Sequence, residues 1–247
     1  ELLGAGLIHE DVLTFRGQGL SNYLAEPVLE NGTLGWRDVA GDSLDEDILR
    51  PVARPFDAEG GTTLVQGNLG RAVVKVSAVE PELRRITAPA RVFHDQEALK
   101  VAFQAGELTG DFVAVVPYQG PRANGMPELH KLTPFLGILQ NQGQRVALVT
   151  DGRMSGASGK VLAAIHTTPE ALCDGAIGRI RDGDLVTIDA EAGVLEVDPV
   201  DGALEDRPIV HPDLSANHRG MGRDLFSAFR RQASGAEEGA SIFEEVR

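Results

Sequence analysis

The spacing of hydrophobic positions changes at about residue 60. Before that point, short apolar clusters with helical spacing are interrupted by glycines, and residues 2–8 are the first of these clusters. Ser43 and Glu46 have the spacing of a capping box, which predicts the start of a short helix. Asn31-Gly32 is a strong turn signal. We therefore expect the beginning of the chain to be a short, mostly helical segment.

Beyond residue 60 the pattern is typical of strands. Residues 74–78 alternate between apolar and polar side chains, as in a half-buried strand. Residues 146–149 form a continuous apolar run, which predicts a strand buried on both faces. Helical spacing predicts helices at residues 95–104, 132–140 and 169–180. Short strands are expected at residues 63–65, 72–79, 90–93, 111–116, 145–150, 184–188 and 194–197.

These elements predict an α/β fold, in which a partly closed mixed β-barrel is flanked by helices. Residues 61–211 would form this barrel domain. Residues 1–60 would be the end of a preceding domain with a linker, and the polar residues 212–247 a helical tail. Because the chain starts with Glu1 rather than methionine, we expect it to be the C-terminal portion of a longer protein.

The composition disfavours several classes of protein. A net charge of −14 argues against general binding to nucleic acid, whose phosphates attract basic surfaces. No apolar run approaches the roughly 20 residues that a membrane helix needs, and no signal peptide is recognised. The single cysteine, Cys173, excludes an internal disulfide and is expected to be an inert small residue. We therefore expect a cytoplasmic protein without nucleic-acid or membrane partners.

The most informative segment is the glycine-rich loop at residues 151–160, DGRMSGASGK, which we call the signature loop. It follows a buried strand, and ligands bind at the carboxyl ends of strands in open sheets. Its glycines allow backbone N–H groups to face an anion, and Arg153 and Lys160 add positive charge. We expect this loop to form one wall of an active site.

Two side chains are candidates for chemistry, and each also has a purely structural interpretation. Ser155 can present its hydroxyl to a substrate, or it can bond to the loop backbone as turn serines usually do. Glu128 can coordinate Mg²⁺, a cation that prefers oxygen ligands. Alternatively, Glu128 begins a helix after Pro127 and is favoured there by the helix dipole.

A third group of polar side chains lies in two loops that each follow a buried strand. Together they suit a phosphate or carboxylate, although His130 and Lys131 can equally belong to a solvated surface. His130 could also act as an acid or base near neutral pH. The group consists of Arg122, Asn124, His130, Lys131, Arg153, Ser158 and Lys160.

Three motifs in one order resemble the dihydroxy-acid dehydratase / 6-phosphogluconate dehydratase family, and most closely its 6-phosphogluconate branch. They are GNLGRAVVKVSAV at residues 67–79, GPRANGMPELHKLTP at residues 120–134 and the signature loop. The resemblance covers almost the whole chain. It implies a swivelling β/β/α domain and the dehydration of 6-phospho-D-gluconate to 2-dehydro-3-deoxy-6-phosphogluconate, a reaction of the Entner–Doudoroff route.

The resemblance also implies roles and cofactors. Ser155 would be the catalytic base, working as an alkoxide near a metal, and Glu128 would help to hold Mg²⁺. The family carries an iron–sulfur cluster, expected here as the 4Fe-4S type, which one cysteine cannot hold. Its ligands would lie on the N-terminal domain of the same homodimeric enzyme, so the isolated fragment should be inactive. From their positions in the two loops, the predicted substrate-binding residues are Arg122, Asn124, His130, Arg153, Ser158 and Lys160.

Other functions stay open at this point. The first is dehydration of an unphosphorylated sugar acid or a branched-chain dihydroxy acid, which turnover on phosphorylated and unphosphorylated acids would distinguish. The second is a non-catalytic phosphate-binding module, which predicts tight phosphate binding without iron. A purely structural domain that mediates dimer formation is a third.

Overall fold

A computed structural model of the chain divides into two compact units, and the boundary lies between Gly60 and Gly61. We describe each unit by itself. The residues that the structure describes are 1–39, 41, 43–154, 159–209 and 211–243.

The first unit contains two β-hairpins, so the expectation of a mostly helical segment is wrong. β1 (Leu13–Thr14) pairs with β2 (Gly17–Gln18), and β3 (Ala25–Glu30) pairs with β4 (Thr33–Asp38). A 3₁₀ helix, Leu20–Leu24, lies between the hairpins. The apolar cluster at residues 2–8 forms turns because its glycines disfavour the costly helix nucleus.

Local turn chemistry explains why one prediction for this unit is confirmed and another is wrong. Asn31 and Gly32 have φ values of 50° and 78°, as a tight two-residue hairpin turn requires, so the predicted turn is confirmed. Ser43 does not begin a helix. Its hydroxyl donates to the Asp45 carbonyl oxygen at 3.0 Å and accepts from the Asp45 N–H at 3.3 Å. The side chain thus closes a local turn instead of capping a helix.

The first unit has no buried apolar side chain among its described residues. Leu13, Phe15 and Leu44 are, by contrast, largely exposed. A segment of this kind gains little hydrophobic stabilisation of its own.

The second unit contains eight strands that close into a barrel. They are β5 (Thr62–Gly67), β6 (Gly70–Lys75), β7 (Arg85–Val92), β8 (Phe112–Val116), β9 (Val146–Thr150), β10 (Leu162–Thr168), β11 (Leu185–Asp189) and β12 (Val194–Asp198).

The strand order around the barrel is β10-β6-β5-β12-β11-β7-β8-β9. β7 to β10 run parallel as neighbours, and β12 pairs in parallel with β5. The remaining neighbours are antiparallel. The predicted mixed barrel is confirmed, but it is closed rather than partly closed. Closure depends on the pairings of β5 with β12 and of β6 with β10, which are remote in sequence and remove the sheet edges.

The continuous apolar runs belong to strands that are buried on both faces, as predicted. In β8, Val113 and Val115 pack inside the barrel. Ala114 and Val116 pack outside it with Leu136, a helical residue. Burial on both sides removes the polar positions that would otherwise alternate along the strand.

The described residues of this unit form four α-helices. Asp95 caps the first of them by accepting from the Ala98 N–H at 2.8 Å, so the helix predicted for residues 95–104 is confirmed. None of the helices in the described parts of the chain is long and apolar enough to cross a membrane. The helices are α1 (Gln96–Gln104), α2 (Pro121–Asn124), α3 (Leu132–Asn141) and α4 (Ser227–Gln232).

The helix predicted for residues 169–180 is wrong. Two 3₁₀ turns, Ala171–Cys173 and Ala176–Arg179, stand in its place. Asp174 separates them in a left-handed conformation with φ 61°, which a continuous α-helix cannot accommodate.

Candidate active site

Three loops meet at one end of the barrel. Because β8, β9 and β10 are parallel neighbours, their carboxyl ends lie together. The loop after β8 begins at Pro117, the signature loop begins at Asp151, and the segment after β10 begins at Pro169. This end of a parallel sheet is where ligands usually bind.

The loop after β8 returns to pair with the signature loop. Glu128 and Arg153 form a parallel β-bridge. The Leu129 N–H donates to the Arg153 carbonyl oxygen at 3.0 Å. The Arg153 Nε–H donates to the Met126 carbonyl oxygen at 2.8 Å. The start of the signature loop and the segment that contains Glu128 therefore form one structural unit.

Glu128 is half-buried and does not belong to a helix. α3 begins only at Leu132, so the interpretation of Glu128 as a helix-start carboxylate is wrong. Its carboxylate forms no hydrogen bond or ion pair with any described residue, while its carbonyl oxygen accepts from Gln96 Nε2 at 3.4 Å. An oxygen pair of this kind suits a hard cation.

Glu128 supplies only part of a metal site within the described residues. No three His, Cys, Asp or Glu side chains come together there as a metal-binding group. The remaining ligands of the expected Mg²⁺ would have to come from elsewhere, and Glu128 fits the role of a single contributing carboxylate.

The middle of the signature loop, with Ser155 and Ser158, lies outside the described residues. At its two ends, Arg153 and Lys160 are exposed. The Lys160 ammonium has no partner among the described residues, and its carbonyl oxygen accepts from Gln140 Nε2 at 3.2 Å. Both cations are thus placed where an anion can reach them.

Arg122 and Asn124 bind other parts of the protein. The Arg122 Nε–H donates to the Ala233 carbonyl oxygen at 2.7 Å. The Asn124 amide donates to Gln119 Oε1 at 2.9 Å and its oxygen accepts from Arg223 at 3.0 Å. In the described part of the chain no hydrogen bond joins either residue to the Glu128 segment. Their predicted role in substrate binding stays a prediction.

His130 and Lys131 have exposed side chains, which agrees with the solvated-surface interpretation. The Lys131 N–H donates to Gln96 Oε1 at 3.0 Å, which holds the backbone before α3. Neither side chain has a partner among the described residues.

Asp151 is a site residue that the sequence reasoning missed. Its side chain is fully buried and accepts from three backbone N–H groups, those of Gln119 at 2.8 Å, Ala171 at 2.9 Å and Tyr118 at 3.1 Å. Burial raises its pKa from 3.8 to about 6, although the three donors act in the opposite direction. The carboxylate is therefore mostly ionised at neutral pH.

Glu170 is a second buried acid at the same end of the barrel. Its carboxylate accepts from the Arg122 N–H at 2.9 Å and from the Ala123 N–H at 3.4 Å, so it binds the first turn of α2. Glu170 is 6% exposed. Free N–H groups at a helix start make this a favourable place for a negative charge.

His166 is a third residue whose position sequence reasoning did not indicate. It has φ 57° at an irregularity of β10, and its N–H donates to the Gly152 carbonyl oxygen at 2.9 Å. Burial and the positive charge of Arg153 lower its pKa, so the imidazole is neutral near pH 7. This conformation is uncommon for a non-glycine residue.

Cys173 does not fit an iron–sulfur cluster. Its Sγ lies 3.5 Å from Glu170 Oε1 and 3.7 Å from Arg122 Nη1. Burial and the charge of Glu170 raise the pKa of the thiol, whereas cluster iron binds thiolate. Because it is also the single cysteine of the chain, these residues offer no cluster site.

One sequence signal is compatible with the two buried acids, although it does not by itself reveal their burial. Asp151 and Glu170 each stand within two positions of the end of a buried strand. An acid there faces the N–H groups of neighbouring loops, so its burial can be compensated by hydrogen bonds. Asp151 was interpreted only as the start of the signature loop, and Glu170 only as part of a helix.

Comparison with known proteins identifies the family of the chain. A family model described as "Dihydroxy-acid/6-phosphogluconate dehydratase C-terminal" matches residues 47–240. The chain therefore belongs to the dihydroxy-acid/6-phosphogluconate dehydratase family, and the resemblance seen in its three motifs is confirmed.

Several relatives are similar over nearly the whole chain. The phosphogluconate dehydratase of Pseudomonas aeruginosa is 58% identical over 245 residues, which cover 99% of this chain and 40% of the relative. That of Escherichia coli K12 is 53% identical over 98% of this chain and 40% of the relative. The dihydroxy-acid dehydratase of Nitratiruptor is 36% identical over 75% of this chain and 33% of the relative. The chain thus spans about 40% of the length of the phosphogluconate dehydratases it matches.

Proposed function

We propose that this chain is the C-terminal part of a phosphogluconate dehydratase, a hydro-lyase of the Entner–Doudoroff route in the cytoplasm. The identities of 53% and 58% to relatives of that name support the proposal. The observation that carries it is the β-bridge between Glu128 and Arg153, since it brings the expected metal ligand to the start of the signature loop.

The proposed reaction removes water from 6-phospho-D-gluconate. A proton leaves C2, hydroxide leaves C3, and the resulting enol becomes the ketone of 2-dehydro-3-deoxy-6-phosphogluconate. The C2 proton is only weakly acidic beside an ionised carboxylate, and hydroxide is a poor leaving group. A catalyst must therefore place a base at C2, stabilise negative charge on the carboxylate and assist the departure of hydroxide from C3.

We assign residues of this chain to the first two of these needs. Ser155, two positions after Arg153, is the proposed base that accepts the C2 proton. Glu128 would contribute one carboxylate to a Mg²⁺ site, where a bound cation would withdraw charge from the substrate carboxylate. Arg153 and Lys160 would bind the anionic groups of the substrate.

The residues of this chain offer no set of ligands for the family's iron–sulfur cluster, because a cluster takes several thiolates and the chain has one cysteine. We propose that its thiolates belong to the N-terminal domain of the same enzyme, which is expected to be a homodimer. The first unit supports the view that residues 1–60 end a preceding domain, because its large apolar side chains lack a core within the unit.

Turnover of the full-length enzyme tests the proposal. Ser155→Ala should lower kcat about 100-fold or more, since a positioned base contributes factors of roughly 10²–10⁴. Ser77→Ala, which changes an exposed serine of the same unit, should leave kcat unchanged. An S155A enzyme with intact turnover would refute the assignment of the base.

Substrate comparison separates the alternatives. The proposal predicts a higher kcat/KM on 6-phospho-D-gluconate than on gluconate or a branched-chain dihydroxy acid. The opposite preference would favour the unphosphorylated substrates. Tight binding of inorganic phosphate by the 247-residue chain, with no turnover by the full enzyme, would instead indicate a non-catalytic module.

A further inference from the structure

The Asp151 carboxylate is the point at which all three loops of the candidate active site are joined. It lies at the start of the signature loop and binds Tyr118 and Gln119 in the loop after β8. It also binds Ala171 in the segment after β10. We call Asp151 and these three N–H donors the Asp151 clamp.

We propose that Asp151 is a positioning residue for the dehydration, because its clamp fixes the Glu128 segment and the segment after β10 against the signature loop. The inference rests on the proposed function for its effect on turnover. The hydrogen bonds of the clamp can be tested independently of that function.

The clamp reaches Glu128 through a loop that is held at three points. Asp151 holds its start, at Tyr118 and Gln119. Glu170 holds its middle through the N–H groups at the start of α2. The β-bridge from Arg153 holds its end at Glu128. A loop restrained at its start, middle and end has little freedom to move the Glu128 carboxylate.

Close packing transmits any shift at Asp151 to the same loop. A β-carbon on Gly152 would stand 2.6 Å from Gln119 Cβ and 2.9 Å from Leu129 Cδ1. Even a methyl group therefore has no room between the signature loop and the two ends of the neighbouring loop. Interiors packed this closely transmit strain rather than absorb it.

Stability alone gives a poor reason for a carboxylate at this position. No Lys or Arg in the described part of the chain forms an ion pair with Asp151, and the negative charge of Glu170 opposes its ionisation. Burial of an unpaired charge is costly. Three donors, however, need more acceptor capacity than the single oxygen of an asparagine amide provides. The carboxylate at position 151 is therefore explained by its role in ordering the three loops.

Asp151→Asn in the full-length enzyme tests the proposal, with Asp189→Asn as its matched control. Asp189 is also nearly buried and accepts from two backbone N–H groups, but these donors, Glu191 and Ala192, lie in the β11–β12 hairpin. Its carboxylate also pairs with Arg85 at 3.5 Å. We expect D151N to lower kcat about tenfold or more, since small misplacement of reacting groups costs up to roughly 100-fold. D189N should leave kcat per folded enzyme unchanged.

Amide hydrogen exchange provides the readout that does not depend on turnover. In the wild-type enzyme the N–H groups of Tyr118, Gln119 and Ala171 should be protected at pH 7. D151N should accelerate their exchange, and D189N should not. Faster exchange together with the kcat loss supports the proposal.

Three results would overturn it. The first is an unchanged kcat in D151N, and the second is an equal loss of kcat in D189N. The third is unprotected N–H groups at the three donors in the wild type, which decides the matter even if D151N does not fold. A wild-type enzyme that is inactive on 6-phospho-D-gluconate would reject the proposed function instead, and exchange would still report on the clamp.

Discussion

Gly120 lies against the Glu170 carboxylate so closely that a β-carbon there would stand 1.9 Å from Oε2 and 2.7 Å from Cβ of Glu170. The φ of Gly120 is −67°, a value that any residue adopts, so the restriction is steric. The contact allows Glu170 to reach the N–H groups at the start of α2. Absence of a side chain at position 120 is therefore a condition for the ordered loop after β8.

Gly120→Ala should consequently destabilise the barrel unit. A methyl group inserted into close packing costs about 1–3 kcal/mol in the free energy of unfolding. Gly137→Ala is the control, because a β-carbon at Gly137 in α3 meets no atom within 4 Å. That change should stabilise the helix by roughly 1 kcal/mol. Urea unfolding of both variants measures the difference, and equal effects would contradict the steric argument.

Glu128→Gln should weaken the activation of the full-length enzyme by Mg²⁺. An amide loses the negative charge and one of the two ligand oxygens, so we expect the Mg²⁺ concentration for half-maximal activity to rise about tenfold or more. Glu97→Gln is the control, since Glu97 is an exposed acid of α1 paired with Lys100. Titration with Mg²⁺ after treatment with a chelator checks the prediction, and identical curves for the two variants would contradict it.

The raised pKa of Asp151 predicts how stability depends on pH. Its folded-state pKa is about 6, above the ordinary 3.8, so the folded protein binds more protons in the window between these values. The contribution of Asp151 to stability is therefore fully present below pH 3.8 and is lost as pH rises through about 6. Glu170 and Tyr118 face the same carboxylate and leave this sign unchanged.

Asp151→Asn removes this titration. As pH rises from 4 to 7, the wild type should lose the contribution of Asp151 to its free energy of unfolding, whereas D151N has no such contribution to lose. The difference between the two should therefore change in favour of D151N. Above pH 7 the difference should be constant. Urea unfolding across this range measures it, and a difference that does not vary with pH would show that Asp151 has an ordinary pKa.

Arg207 and Asp184 form a buried ion pair, with side chains 5% and 0% exposed. The Arg207 Nη2–H donates to Asp184 Oδ1 at 3.0 Å. Arg207→Met should lower the free energy of unfolding by about 3–5 kcal/mol, because Asp184 would be left as an uncompensated buried charge. Thermal unfolding checks this.

Arg71→Ala is the comparison for that prediction. Arg71 pairs with Glu237 at 2.7 Å, but both side chains are partly exposed, so the loss should stay within about 1 kcal/mol. Addition of Asp184→Asn to R207M should recover part of the stability, since the second change removes the unpaired charge. Equal losses in R207M and R71A would show that burial does not determine the cost.

Most barrel strands could be predicted because burial of a strand produces a recognisable pattern of apolar residues in its own sequence. The runs in β8 and β9 are apolar at every position, since one face meets the barrel interior and the other the helices. The helix α1 could also be predicted, because its apolar residues have helical spacing and its N-cap is Asp95. The first unit was wrongly predicted to be mostly helical. Its large apolar residues are exposed, so their spacing does not indicate the buried face of a helix.

The candidate site could be predicted only in part from the sequence. Glu128 and Arg153 could be named because each follows a buried strand in an unusual loop. Asp151 and Glu170 could not, since acids near strand ends are usually solvated and only their N–H partners reveal their burial. Arg122 was expected at the substrate, but the tail residue Ala233 occupies its Nε–H.

The amino-acid sequence by itself determined most of the barrel strands, the helices α1 and α3, the family and the two loops that carry the candidate chemistry, because periodicity and motif spacing are local properties. Only the tertiary structure decided which strands close the barrel, which acids are buried and which loops are joined. Those features depend on contacts between residues far apart in sequence, such as Asp151 with Gln119 and Ala171. Their energies arise from burial and hydrogen bonding, which no single segment contains.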